Sequence, residues 1–496
     1  MKSLVVKISL IVAITLLAAW LRLPHLGAVN LYNDEYYQFE TAVGQLKLGE
    51  WVRYDYYTEA AGKPYDRAKL FIYQVVGSLA VFGETESAAR LPAAVWGIVL
   101  VPLVILGLLH TLKHPALAYL TGVVLAFDDF SIGLSRYVRM YSMLMVLSVA
   151  LVWCVYQCLE THQRWKRLGY GLASSLLLVL SFIIFKELTL ALVAAIGVYT
   201  TIRVVTFAIT RQPADRAWTW FWIAGGIIAV VAVALTVAGM NVIPLDAVIV
   251  RTQPHWSYLL DLFVNWRLPI FAAGFCIIGS VLALKQLRGF LGYSAVLSLT
   301  VLSYFTFFSH RWDAQRYISI VTPLITLLTV VGMYATLRFL FALLPQPNWL
   351  RFSLVLLLAG FIGPWVSLTG VPGTDWLNRT AYADQSATEL GYADMRTAYA
   401  YVANHVQPGE VVLMQGPRYY YWPDRTVPIM TLGGYKSLTL DEFKALAARG
   451  TGGSWVVYNT THQRHLRDSI KLYLDKHYDY VGTLADTGVV VYHFTK

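Results

Sequence analysis

Long apolar runs, separated by short polar segments, recur along the first three quarters of the 496-residue chain. An α-helix needs about 20 residues to cross the roughly 30 Å hydrocarbon core of a bilayer. We therefore predict a polytopic α-helical membrane protein with about 11 transmembrane helices. The predicted spans cover residues 4–20, 91–109, 115–132, 140–159, 168–185, 188–210, 218–240, 268–284, 290–308, 317–337 and 352–370.

Polar residues modify three of these spans. Asp128-Asp129 shortens the apolar core of the third, and Lys186-Glu187 is expected to form the tip of a tight hairpin between the fifth and the sixth. Lys2 and Lys7 precede the first run as they would in a signal peptide. No clear small-residue cleavage site follows, so we expect residues 4–20 to be retained as a span.

The pattern changes at residues 371–496, where charge rises and apolar runs shorten to strand length. Predicted helices alternate there with predicted strands, which is typical of a small α/β domain, and we expect its sheet to be mainly parallel. We divide the chain into a transmembrane domain, 1–370, and this C-terminal domain, 371–496. No Gly-rich phosphate loop opens a helix of the C-terminal domain, so no nucleotide is expected there.

Composition agrees with the membrane assignment, because 57% of residues are hydrophobic and only 14% are charged, against roughly 25% charged residues in soluble domains. The net charge of +10 lies mainly in short loops on one side, which the positive-inside rule makes cytoplasmic. The N-terminus is then cytoplasmic and the C-terminal domain extracytoplasmic. Because this excess charge follows topology, no nucleic-acid partner is expected.

Charged residues on the outer side mark the candidate chemistry. Asp34-Glu35 follows the first span, and carboxylates near a bilayer are costly unless they serve a function. Span ends that carry charge can converge on one outer cavity, where cations would bind a lipid phosphate and a carboxylate would accept a proton from an attacking hydroxyl. Snorkelling or headgroup binding is the alternative for each cation. The cations and acids of this set are Lys63, Arg136, Arg139, Lys186, Glu187, Arg311, Asp313 and Arg316.

Aromatic residues are abundant in the two long outer loops, residues 22–90 and 241–267. They can anchor the protein at the membrane interface or stack on sugar rings, and Tyr54, Tyr57 and Trp256 are the candidate sugar or acceptor contacts. His255 is a candidate metal ligand, with a structural or solvent-facing role as the alternative. Tyr419–Trp422 can form an acceptor platform, rest on the bilayer interface or fill the core of its own domain.

Several short motifs occur in a characteristic order. They are Leu21-Arg22-Leu23-Pro24, Asn33-Asp34-Glu35, Gly62-Lys63-Pro64, Phe82-Gly83-Glu84, Ala89-Arg90-Leu91-Pro92, Ser135–Tyr141 and Gln315-Arg316-Tyr317. This series resembles the GT-C glycosyltransferases, in particular the branch of the protein O-mannosyltransferases and the lipid A aminoarabinose transferase (ArnT-like). The resemblance covers most of residues 1–340. It implies a bacterial inner-membrane enzyme that transfers a sugar from a polyprenyl-phosphate carrier to a glycan, lipid or protein acceptor on the outer face.

Roles for individual residues follow from the same resemblance. Asp34 matches the general base or acceptor-orienting group, and Glu35 its supporting neighbour. Lys63 matches a lysine that contacts the donor phosphate, and Arg136, Arg139 and Arg316 lie in family-like segments that would also bind phosphate. A hexose or a pentose would be transferred by direct displacement, which inverts the anomeric centre.

Two departures from the aminoarabinose branch affect these expectations. Tyr36-Tyr37 stands where that branch has an arginine, and Gly62 replaces a glutamate that helps to bind a metal ion. A divalent metal cofactor is therefore left open, as are the sugar and the acceptor. Two other functions remain as alternatives: a ligase or polymerase that moves a glycan from a lipid diphosphate, and a flippase or transporter of lipid-linked glycans. The second is disfavoured because the spans contain few ionisable residues.

Overall fold

The computed structural model describes residues 2–210, 219–225, 269–307, 314–343 and 394–496, apart from positions 29, 32, 66, 113, 222, 423–425, 434–437 and 460–465. The chain forms two compact units. The helical unit comprises Met1–Leu26, Arg67–Val75 and Arg90–Ala383. The second unit, here the sheet-containing unit, comprises Gly27–Asp66, Val76–Ala89 and Asp384–Lys496.

The first 343 residues are mostly helical over their described part. Seven of their helices are long and apolar enough to cross a membrane, which confirms a multi-pass membrane protein. In chain order the helices are α1 (Lys2–Arg22), α2 (Asn33–Leu48), α3 (Lys69–Phe82), α4 (Glu86–Thr111), α5 (Pro115–Phe127), α6 (Asp129–Ser135), α7 (Tyr141–Glu160), α8 (Arg164–Ile184), α9 (Lys186–Thr210), α10 (Pro269–Leu284), α11 (Phe290–Phe307) and α12 (Thr322–Leu343), with short helical turns at Ala314–Tyr317 and Ile318–Ile320.

The seven long helices coincide with seven predicted spans. The predicted third span is interrupted, because α5 ends at Phe127 and the Asp128 carboxylate accepts a hydrogen bond of 2.8 Å from the Ser131 N–H at the start of α6. This is the ordinary chemistry of a helix N-cap, which explains why the acidic pair ends the apolar run. The predicted hairpin between α8 and α9 is present, with Phe185 extended between them. Spans 218–240 and 352–370 lie largely or wholly outside the described residues.

Helices α10 and α12 approach very closely at two glycines. A Cβ atom built on Gly279 would fall 1.8 Å from the Leu328 carbonyl oxygen, and one on Gly332 would fall 1.9 Å from that of Phe275. Only glycine fits at both positions. Small residues give membrane helices this kind of backbone contact, which replaces the hydrophobic driving force that lipid does not supply.

The sheet-containing unit has a hairpin and a five-stranded sheet. The hairpin pairs β1 (Val52–Asp55) with β2 (Ala60–Pro64). The remaining helices and strands are α13 (Met395–His405), β3 (Glu410–Met414), a 3₁₀ turn (Tyr419–Tyr421), β4 (Ile429–Thr431), α14 (Leu440–Ala447), β5 (Gly453–Asn459), α15 (Asp468–His477), β6 (Asp479–Tyr480), a 3₁₀ helix (Gly482–Thr487) and β7 (Val489–Thr495).

The sheet has the order β4-β3-β5-β7-β6. Strands β4, β3 and β5 are parallel, whereas β7 is antiparallel to both of its neighbours. The α/β class is therefore confirmed. Four of the five strands run in one direction, but only two of the four strand pairings are parallel, so the expectation of a mainly parallel sheet holds in part. The reason is the connection after β5: the chain crosses through α15 to the edge strand β6 and then turns back, so β7 fills the slot between them in the opposite direction.

Both faces of this sheet are covered. Along β3, Val411 and Leu413 belong to one apolar cluster with Phe443 of α14, while Val412 and Met414 belong to another with Tyr399 of α13. Successive strand residues point to opposite faces, so a strand buried on both sides is apolar throughout. This explains the uninterrupted run Val411–Met414.

Candidate functional site

Helix α2 carries the acidic pair in its first turn. Asp34 is half-buried, and Glu35 is 1% exposed. The N-terminal end of a helix has a partial positive charge, which stabilises carboxylates placed there. The predicted catalytic pair thus lies at the helix end whose partial charge attracts carboxylates, with Asp34 the more accessible of the two.

The predicted phosphate ligand Lys63 lies on the hairpin that follows α2. Its strand, β2, is exposed along its whole length. The neighbouring Gly62 allows the two strands to approach, since a Cβ there would fall 2.6 Å from the Arg53 carbonyl oxygen. Lys63 is therefore presented on a surface hairpin, where a flexible ammonium group can follow a ligand.

A buried carboxyl group on α2, not singled out from the sequence, links this hairpin to the helix. Glu40 accepts a hydrogen bond of 2.6 Å from Arg53 Nε, and the Arg53 guanidinium lies 4.1 Å from the centre of the Tyr37 ring. Burial raises the pKa of Glu40 to about 7, against the opposing effect of Arg53. Glu40 and Arg53 are 13 residues apart, and no helical or strand periodicity in the sequence links them.

Two of the residues predicted to contact the acceptor pack inside the sheet-containing unit. The ring of Tyr54 meets that of Tyr56 edge-on at 5.0 Å, and Tyr54 is 6% exposed. Tyr57 stacks on Tyr419 at 5.1 Å and donates a hydrogen bond of 3.3 Å to the Val427 carbonyl. These contacts are structural, and a sugar-binding role for either tyrosine stays a prediction.

Arg139 and Arg316, which are far apart in sequence, come together around Tyr141 in the helical unit. The Arg139 guanidinium lies 5.8 Å from the Tyr141 ring centre, and that of Arg316 lies 5.3 Å from Tyr317. The two tyrosine rings are 6.3 Å apart, and both arginines act electrostatically on the Tyr141 hydroxyl. Phe185 contacts both rings, at 6.5 and 5.8 Å. We call these five residues the arginine–tyrosine cluster.

The tyrosines and Phe185 of this cluster were missed as site residues. Tyr141 and Tyr317 each stand at the end of a family-like motif, directly or two residues after its arginine. That repeated arrangement was the available signal. Phe185 immediately precedes Lys186, which the sequence placed at a hairpin tip. Lys186 is exposed, and its Nζ lies 5.8 Å from the centre of the Phe182 ring.

Arg136, also predicted to bind phosphate, has different surroundings. It is 3% exposed and donates hydrogen bonds to the carbonyl oxygens of Arg22, Pro24 and His25, at 3.1, 2.8 and 3.0 Å. Burial, with the nearby Arg90 charge, lowers its pKa to about 10, so it remains charged at neutral pH. These bonds hold the chain after α1 and favour a structural role over phosphate binding.

Several predicted site residues lie outside the described residues: Trp256, His255, Arg311 and Asp313. Within the described part of the chain, no three His, Cys, Asp or Glu side chains cluster closely enough to hold a metal ion. The three cysteines Cys154, Cys158 and Cys276 are free thiols.

Residues 61–257 match the family model described as dolichyl-phosphate-mannose-protein mannosyltransferase. No curated protein matches the chain in sequence.

Two solved structures share the fold over nearly the whole length. ArnT from Cupriavidus metallidurans in the apo state has a TM-score of 0.58 at 15% identity, covering 99% of this chain and 98% of that one. The same protein bound to undecaprenyl phosphate has a TM-score of 0.56 at 14% identity, covering 98% of each. The resemblance to the GT-C glycosyltransferases of the mannosyltransferase and ArnT branch, predicted from the ordered motifs, is thereby confirmed.

Proposed function

We propose that this protein is an inverting membrane glycosyltransferase that moves one monosaccharide, a hexose or a pentose, from a polyprenyl-phosphate donor to an acceptor. The observation that carries the proposal is the shared fold with ArnT, which has been solved with undecaprenyl phosphate bound. The family match over residues 61–257 supports the same reaction class. The acceptor is a glycan, a lipid or a protein.

The arginine–tyrosine cluster is the proposed phosphate subsite. Arginine binds phosphate through two parallel N–H donors, and a guanidinium beside an aromatic ring retains its charge in a partly dry site. Arg139 is 8% exposed and Arg316 half-buried, so water screens their charges less than it screens those of surface residues. The mobile ammonium of Lys63 supplies a further contact to the donor phosphate.

The reaction is a direct displacement at the anomeric carbon of the sugar. The acceptor oxygen forms the new bond while the bond to the carrier phosphate breaks, and the phosphate leaves with the bonding electron pair. Asp34 takes the acceptor proton, or orients the acceptor where that group is itself an acid, and Glu35 supports it. The cations stabilise the negative charge that develops on the leaving phosphate.

The site is proposed to face the outer side of the bacterial inner membrane. The first span brings the chain out before Asp34, and the positive-inside rule leaves the N-terminus in the cytoplasm. The C-terminal domain is then extracytoplasmic. A carrier lipid supplies the sugar on this side without a soluble nucleotide donor.

Transfer in proteoliposomes tests the proposal. The purified protein is supplied with radiolabelled sugars on polyprenyl monophosphate, one hexose and one pentose, and separately with a glycan on polyprenyl diphosphate. A cell-envelope fraction is the acceptor, and protein-free liposomes are the control. Label that moves from a monophosphate donor to an acceptor supports the proposal. Label that moves only from the diphosphate indicates a ligase, and donor that crosses the bilayer without bond formation indicates a transporter.

A further inference from the structure

The two sides of helix α2 have different surroundings. At about 100° per residue, Tyr36, Phe39 and Val43 project within roughly 60° of one another, and all three are fully buried in the structure. Asp34 projects about 180° from Val43 and is only half-buried. One side of the helix is thus anchored by aromatic and aliphatic packing, while Asp34 lies on the opposite side with the buried polar residues Gln38 and Thr41.

The anchor comes from the segment Arg418–Trp422, here called the aromatic clamp, which lies in the same compact unit as α2. The Tyr421 hydroxyl accepts a hydrogen bond of 2.6 Å from the Leu31 N–H, two residues before α2 begins. The Tyr420 N–H donates to the Tyr36 hydroxyl at 3.0 Å. Helix α2 is therefore tied to the clamp just before its first residue and again within its first turn.

Aromatic packing restrains the rotation of the helix. The ring of Tyr420 meets that of Phe39 at 4.8 Å and an angle of 65°, and the guanidinium of Arg418 lies 4.8 Å from the centre of the Tyr36 ring. At the other end of the clamp, Trp422 packs in the sheet core, 5.9 Å from Tyr399. The clamp thus connects α2 to the core of the α/β sheet.

Two polar contacts reinforce the same junction. Asn30 Nδ2 donates a hydrogen bond of 2.9 Å to Asp394, the residue that caps α13. Arg396 on α13 pairs with Glu86 at the start of α4. A single tyrosine in this set can therefore be changed while the junction keeps other bonds.

We propose that the aromatic clamp is a positioning device for catalysis: Tyr420 and Tyr421 hold α2 so that Asp34 points at the acceptor. The role rests on the proposed function. It also explains the Tyr419–Trp422 motif, whose residues face α2 and the hairpin on one side and the sheet core on the other. A displacement of about 1 Å at a reacting group can cost a hundredfold in rate, so the clamp affects turnover more than donor affinity.

The test compares single variants of the full-length protein. Tyr421→Phe removes the hydroxyl that binds Leu31, and Tyr420→Ala removes the ring against Phe39. Tyr420→Phe keeps that ring and loses only the hydroxyl that donates to the Glu84 carbonyl at 2.9 Å. The matched control is Tyr478→Phe, which deletes a hydroxyl bonded to Ser454 at 2.7 Å within the same sheet domain. Each protein is assayed for kcat and donor KM, and hydrogen–deuterium exchange is measured over residues 30–48.

We expect kcat to fall about tenfold in Tyr421→Phe and about a hundredfold in Tyr420→Ala, with donor KM changed less than twofold. Exchange over residues 30–48 should rise in both, and less in Tyr420→Phe than in Tyr420→Ala, while Tyr478→Phe stays near wild type. Unchanged exchange in Tyr420→Ala, or an equal loss of kcat in Tyr478→Phe, overturns the proposal. Because exchange needs no substrate, it tests the clamp even if the assumed transfer reaction is wrong.

Discussion

Two groups of arginines in the helical unit resemble each other in sequence but differ in their surroundings. In the first group, Arg22, Arg90 and Arg136 donate hydrogen bonds to main-chain carbonyl oxygens. In the second, Arg139 and Arg316 lie beside the rings of Tyr141 and Tyr317. Arg136 and Arg139 are only three residues apart, so sequence position does not separate the groups.

The difference shows how a guanidinium is assigned to fold or to function. A hydrogen bond to a carbonyl occupies an N–H donor, and breaking it leaves a buried oxygen without its partner. A contact with an aromatic ring uses the positive charge of the guanidinium instead. That charge is what attracts a phosphate group. We therefore assign the first group to stability and propose the second as ligands of the donor phosphate.

Replacement of the cluster arginines has the largest expected effect. Arg139→Ala and Arg316→Ala should each lower transfer by about 10²–10³, because each removes charge from the leaving phosphate, while thermal unfolding in detergent changes little. Lysine at either position should restore part of the activity but not the two-point contact. The control is Arg167→Ala, an exposed arginine that donates to the Thr161 carbonyl. Wild-type transfer by either alanine variant would remove the phosphate assignment.

Arg136→Ala should do the reverse and act on stability first. It leaves the carbonyl oxygens of Arg22, Pro24 and His25 without their donor. We expect the free energy of unfolding to fall by about 2–4 kcal/mol. Thermal unfolding of purified protein, compared with Arg139→Ala, measures the difference. If Arg136→Ala unfolds like wild type and loses transfer instead, the division between the two groups is wrong.

A buried carboxylate in the sheet, Glu410, allows the same comparison for an acidic residue. Its replacement has the smallest expected effect of the three changes. Glu410 accepts hydrogen bonds from the Gln407 N–H and Trp455 and lies 2.7 Å from His493 Nε2. Burial disfavours its charge, but these bonds outweigh burial and hold its pKa below the usual value. Its contribution to stability is therefore present above the pKa of an unfolded glutamate and is lost as pH falls through the lower folded value.

Glu410→Gln checks this directly. The variant should lose less than about 2 kcal/mol of stability at neutral pH and should show a weaker decline between pH 5 and pH 3. Exchange protection of β3 and β5 as a function of pH is the measurement, with transfer activity at neutral pH nearly unchanged. An identical acid decline in wild type and variant would mean that Glu410 titrates normally.

Much of the fold could be predicted because it depends on local patterns. Apolar runs located the long helices, and short apolar runs such as Val411–Met414 indicated strands. The break at Asp128 was visible as an acidic pair inside an apolar run. The direction of β7 was not predictable in this way, because it depends on which slot the connection after β5 leaves open.

The site was predicted less completely, because its contacts join distant parts of the chain. The motif around Asp34 indicated the acidic helix, but nothing local linked Leu31 to Tyr421, 390 residues away. Likewise, Arg136 and Arg139 share one motif, and only the positions of Pro24, His25 and Tyr141 in the fold distinguish them. Sequence patterns identified the residue types of the site, whereas their partners required the structure.

The central claim is that Asp34 serves bond formation and not donor binding. The most direct measurement is the transfer rate of Asp34→Asn together with its affinity for the polyprenyl-phosphate donor, on one preparation. The account predicts that transfer falls by about 10²–10⁴, the range for a lost general base, while donor affinity stays within twofold. Transfer near the wild-type rate in a folded Asp34→Asn protein would contradict it.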